Sequence, residues 1–234
     1  MKAHDGEIVP EGAGVNVLRG DRRVAVIVCG ALGAALRRAA GSYGASVEIH
    51  CLPAVLHNRP SEIPLAVERL ASELLERGCA VAVAYADCGT YGALDAVCER
   101  LGLRRLAGLH CYDLIGGPDL VGGLLEEVPG TYLLTDFLLK GFSRLVSEPL
   151  GLDRHPELVS DYFGHYARLV WLTEAPTANL EAKAAAVAEA LSLPLEVVPA
   201  GGARIETALV DLLAAAGTPG EGLRAGDAPL EPAS

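Results

Sequence analysis

The 234-residue chain carries 30 acidic against 19 basic side chains, a formal net charge of −11 and a pI near 5.0. An acidic chain with no basic cluster interleaved with aromatics excludes nucleic acid and anionic membrane surfaces as main partners. Aromatics make up only 5% of the residues, so aliphatic side chains must build the core, as in parallel strands covered by Ala- and Leu-rich helices.

The segment Met1–Gly20 is polar and holds Asp5, Glu7 and Glu11, unlike a signal peptide. Val24–Val28 reads as a first strand and Gly33–Ala40 as a helix. Ser46–Leu52 is a second strand, followed by a loop holding Pro53, His57, Asn58, Arg59 and Pro60. Leu65–Arg77 is amphipathic, with Leu65, Leu70, Leu74 and Leu75 set against Glu68, Glu73 and Glu76. Cys79–Tyr85 is a third strand, Tyr91–Leu101 a helix and Leu106–Leu109 a fourth strand. Beyond the turn at Gly116-Gly117-Pro118, the pattern predicts a helix at Leu120–Glu127. It then predicts a strand at Gly130–Asp136, running into a helix at Phe137–Leu145. Pro156 opens a further helix through Tyr166. Val170–Leu172 is a strand, Leu180–Leu191 a helix, Leu195–Val198 a strand and Ile205–Ala216 a closing helix.

This alternation predicts an α/β fold, Rossmann-like, with a mostly parallel sheet and helices on both faces. The expected organisation is a flexible tail over 1–20 and one α/β domain over 21–216, able to divide into two lobes around a cleft. A tail rich in Pro, Gly and acid follows over 217–234. No apolar stretch reaches the ~18 residues of a membrane span, and the expected location is the cytoplasm.

Six cysteines in a reducing compartment point to ligating, reactive or buried thiols rather than disulfides. Cys29, Cys88 and Cys111 each stand at, or just past, the end of an apolar run. In open α/β sheets the carboxyl ends of the strands form the ligand crevice, so three soft ligands are expected to converge there. Cys51, Cys79 and Cys98 fit the core instead. No CxxC pair occurs, which excludes a zinc ribbon or a thioredoxin-like centre. Three thiolates would suit Zn²⁺ or a [4Fe–4S] cluster with one position open for substrate. The competing readings are isolated core thiols, or covalent chemistry at Cys88.

Asp87, His110 and Asp136 are the candidate acid–base groups. Capping of the next helix is an equal alternative for Asp87. His57, Asn58, Arg59, Thr90 and Tyr112 are candidate substrate contacts, suited to a small anion. The Cys29-Gly30-Ala31-Leu32-Gly33 turn has neither GxGxxG spacing nor a P-loop lysine, so no nucleotide cofactor is expected. No Ser nucleophile elbow and no HExxH occur.

Several segments together resemble the DUF1638 family of bacterial and archaeal proteins. They are Cys29-Gly30-Ala31-Leu32, Leu52 to Pro60, Tyr85 to Thr90, His110-Cys111-Tyr112, Pro129-Gly130-Thr131, Leu134 to Phe137, Gly151 to Leu158 and Tyr162-Phe163-Gly164. The resemblance runs from about Val24 to Val198. Tyr91 departs from it, standing where the family often carries Gly. The resemblance implies association with corrinoid-dependent methyltransferase systems and one-carbon metabolism. The chain lacks the DxHxxG pattern of a corrinoid carrier, because Leu158 stands three residues beyond His155. Two functions are therefore expected to compete. One is a metal-dependent enzyme acting on a small anionic metabolite. The other is a non-catalytic accessory protein that binds a metal or a corrinoid.

Overall fold

The computed structural model describes residues 23–43, 47–201 and 203–217. The tail expected over 1–20, Ser46, and all but the first residue of the tail expected over 217–234 lie outside the described residues. The fold is α/β and holds two parallel sheets. The first has strand order β2-β1-β3-β4, built from β1 (Val24–Cys29), β2 (Val47–Leu52), β3 (Ala80–Ala84) and β4 (Arg104–Arg105). The second has order β5-β6-β7, from β5 (Thr131–Thr135), β6 (Arg168–Thr173) and β7 (Leu195–Pro199).

Central strands are apolar on both faces. All six residues of β1 are buried, because helices cover the sheet from either side. Helix α1 (Gly33–Tyr43) packs on α9 (Ala203–Gly217), and α2 (Glu62–Glu76) packs on α3 (Ala93–Leu101). Both α2 and α9 also touch β1 and β3. In the second sheet β6 is central and fully apolar from Leu169 to Leu172, with α8 (Ala178–Leu191) contributing Leu180, Ala184 and Val187 to its core.

The structure departs from the expected elements at several points. The fourth strand is Arg104–Arg105 rather than Leu106–Leu109. Pairing with β3 ends there, and Gly108, at φ 107, turns the chain away. Cys111 consequently opens helix α4 (Cys111–Gly116) instead of following a strand directly. Helix α5 (Pro118–Glu127) comes next, starting on a proline as helices commonly do. Helix α6 (Asp136–Phe142) runs on into a π-helical turn over Ser143–Ser147. The helix expected from Pro156 to Tyr166 is a 3₁₀ turn followed by α7 (Val159–Phe163). Cys51, expected in the core, is exposed, because β2 is an edge strand. Cys79 and Cys98 are buried as expected.

Among the described residues no helix is long and apolar enough to cross a membrane.

Candidate functional site

Strand register sets the inner end of the site. Val28 pairs with Ala84 across β1 and β3, so one step further Cys29 and Tyr85 lie side by side on the same face. Both are fully buried. From β2, a 3₁₀ turn over Ala54–Asn58 brings His57 to the same point. Its Nδ1–H donates to the Ala54 carbonyl at 2.9 Å, which leaves Nε2 turned towards Cys29 Sγ at 4.0 Å. The His57 ring also lies nearly parallel to Tyr85, with centroids 6.0 Å apart and 12° between planes.

Cys88 follows β3 in a turn held by Asp87. The Asp87 carboxylate accepts from Gly89 N at 3.2 Å, Thr90 Oγ1 at 2.8 Å, Tyr91 N at 3.1 Å and Gly92 N at 2.9 Å. This cage holds Cys88 at φ 52, a left-handed conformation that costs a non-glycine residue about 1–3 kcal/mol. Beyond β4 the chain stays alongside, with Asp87 N–H donating to Gly108 O at 3.1 Å and Cys88 N–H to Leu109 O at 2.7 Å. Asp113 Oδ2 accepts from the backbone of Leu109 and His110, each at 3.0 Å, and so shapes the entry to α4. These contacts bring the Cys111 thiol against Cys88.

The resulting electrostatics are those of a thiolate–imidazolium pair. The hydrogen bond from Cys111 lowers the Cys88 pKa most; burial opposes it and His57 assists, for a value of about 5. Burial works to lower the His57 pKa, but the Cys29 and Cys88 sulfurs override it and raise it to about 10. Contact with Cys88 and burial both push the Cys111 thiol up, so Cys111 keeps its proton as the donor. Burial, then the two neighbouring sulfurs, likewise push the Tyr85 hydroxyl up.

Of these groups, His57, Cys88 and Cys111 reach a cavity of about 440 Å³ between the carboxyl ends of the two sheets. Cys88, Cys111, His57, Asn58, His110 and Tyr112 line it from the first side. Thr135, Asp136 and Lys140 line it from the second, with Arg38 and Glu174 between them. Asp136 Oδ1 is fixed by the Trp171 indole N–H at 2.8 Å, and the Tyr112 hydroxyl donates to Leu133 O at 3.3 Å.

Not every expected residue reaches the cavity. Arg59 is 77% exposed and pairs with Glu62 at 3.3 Å. Thr90 and Asp87 are spent on the Cys88 turn, and Asp87 binds the loop ahead of α3 rather than capping that helix, whose N-cap Gly92 has no side-chain cap. Tyr85, Arg38 and Lys140 were not expected from the sequence. The Cys29–Tyr85 pairing depends on strand register, which the sequence does not display.

Residues 51–209 match DUF1638, a family described as protein of unknown function. The chain belongs to the DUF1638 family. The matched span holds His57, Cys88, Cys111 and Asp136, while Cys29 precedes it. No curated protein and no solved structure matches the chain.

What this DUF1638 chain could hold follows from its donors. Three thiols and one imidazole are the soft and borderline ligands that Zn²⁺ and iron–sulfur clusters take. The buried, unpartnered Tyr85 hydroxyl beside them fits a centre that is completed by a further group. Among the described residues, however, no group of three or more His, Cys, Asp or Glu side chains is placed so as to hold a metal ion. The donors are gathered without being drawn onto a single point. A cluster tolerates wider spacing than one Zn²⁺, because each thiolate binds a different iron.

Proposed function

We propose that the chain is a metal-dependent enzyme that acts on a small anionic metabolite. Cys29, Cys88 and Cys111 would hold Zn²⁺ or a [4Fe–4S] cluster, with His57 beside them. The observation that carries this reading is that Cys88 and Cys111, from separate chain segments, share the wall of one cavity with His57, behind which Cys29 lies buried at 4.0 Å from the imidazole. The bound group would supply a Lewis-acid position for a substrate oxygen or sulfur. On this reading Asp136, held by Trp171, faces the substrate from the opposite wall and can accept or return a proton. Lys140 offers the substrate an ammonium charge, a role the sequence had suggested for Arg59. The family resemblance adds a setting beside corrinoid-dependent methyl transfer.

A second reading has its own observation. Cys88 sits at a left-handed φ in the turn four residues beyond the end of β3, with an imidazole against its sulfur, as activated nucleophiles do. This would make the chain a metal-free thiol enzyme.

Anaerobically purified protein separates the two. We expect a stoichiometric content of zinc, or of iron with acid-labile sulfide. Metal-free protein in which iodoacetamide labels Cys88 well ahead of Cys29 and Cys111 would overturn the metal reading and establish the thiol one.

A further inference from the structure

The cavity between the two sheets changes character with depth. Leu32, Leu172 and Ile205 line its buried part at 1–2% exposure, together with Cys88 at 8%. Phe137, Leu145 and Val146 continue this apolar wall from α6 and the π-helical turn. The charged side chains stand towards solvent, with Arg38, Glu174 and Lys140 all exposed. Helix α6 shows the change within about one turn. Asp136 is half-buried, whereas Lys140, four residues on and on the same face, is exposed.

The two guanidinium and ammonium charges at the mouth are not equivalent. Arg38 donates to Glu206 at 2.9 Å and pairs with Glu174 at 3.4 Å, so its charge is already answered. Lys140 pairs with no carboxylate among the described residues, which leaves one ammonium for a ligand. A volume of about 440 Å³ lies within the range of roughly 300–1,000 Å³ that holds drug-sized ligands. A compact hydrophilic anion would leave most of the apolar wall facing water.

We propose that the cavity takes an amphipathic organic monoanion, a carboxylate carried on an extended apolar body. The carboxylate lies at the mouth on Lys140, and the body fills the buried part. The reacting group then stands at the end of the body remote from the carboxylate, against Cys88 and His57. The inference rests on the enzyme reading of this cavity and names its substrate class; it needs no metal. Each methylene taken out of water strengthens binding up to about fourfold. An exposed ion pair adds at most about fivefold, so the body decides affinity and Lys140 decides orientation.

Isothermal titration calorimetry on the full chain tests this, with butanoate, octanoate and octanol as probes. Octanoate should bind more than about tenfold tighter than butanoate and about three- to fivefold tighter than octanol. Lys140→Gln should cancel the margin of octanoate over octanol and leave octanol unchanged. Lys183→Gln, on the exposed face of α8, should change neither. Ala34 is exposed and lines the cavity, so Ala34→Trp obstructs it without crowding the core and should abolish octanoate binding. Butanoate as tight as octanoate, or octanoate binding that survives Ala34→Trp, overturns the proposal. So does octanol as tight as octanoate, or a Lys140→Gln variant indistinguishable from wild type. Zinc and iron content of the same samples keeps the two readings apart. Metal-free protein that binds octanoate overturns the metal reading and leaves this inference standing. Metal-loaded protein that binds no octanoate overturns this inference alone, and protein with neither overturns both.

Discussion

Cys29→Ser, Cys88→Ser and Cys111→Ser should each reduce bound zinc or iron to background, while Cys51→Ser, Cys79→Ser and Cys98→Ser retain it. A serine hydroxyl stays protonated at neutral pH and is a poor ligand for a soft ion, so one replacement opens the centre. The controls separate ligation from folding. Cys79 and Cys98 are buried in the first core, where a serine hydroxyl costs about 1–2 kcal/mol and lowers the melting temperature without touching the site. Cys51 is exposed, and its replacement should change neither metal nor stability. Cys29 is fully buried, so Cys29→Ser should show both effects, whereas Cys111, at the cavity wall, should show mainly the loss of metal. Metal analysis and thermal melts on the six variants suffice. Equal metal loss at all six positions would mean that the thiols serve folding alone.

The alternation of strands and helices was legible because the core strands are short apolar runs bounded by glycine. That alone placed Cys29 and the Cys88 turn at strand ends. Cys111 was expected just past a strand, and it instead opens helix α4. The apolar look of Leu106–Leu109 suggested a strand, whereas pairing with β3 ends at Arg105 and Gly108 turns the chain. The loop still tracks its neighbour through the Cys88 to Leu109 hydrogen bond, which keeps Cys111 beside Cys88. Arg59 misled because a cation on a loop is ambiguous; its pairing with Glu62 one helical turn on takes it to the surface. Cys51 misled because nothing in Val47–Leu52 says that β2 is an edge strand. Tyr85 was missed because its meaning depends on the register between two strands more than fifty residues apart in sequence.

Asp87→Ala should lower stability by about 3 kcal/mol and strip the metal together with it. The carboxylate accepts two hydrogen bonds on each oxygen, from Thr90 Oγ1 and Gly92 N on one and from Gly89 N and Tyr91 N on the other. Without them nothing offsets the left-handed backbone at Cys88, and the residue relaxes to a conformation that swings its sulfur away from Cys111 and His57. Asp87→Asn should fall between, since its single amide oxygen can replace one carboxylate oxygen while its NH₂ meets two N–H donors. Thr90→Val removes only one of the four bonds and should cost about 1 kcal/mol with the metal retained. Urea unfolding and metal content, measured on the same samples, read both effects. The opposite role for Asp87, moving a proton to substrate, predicts a different outcome. Asp87→Ala would then keep its stability and its metal and lose only turnover, and that result would return Asp87 from the scaffold of the Cys88 turn to the chemistry.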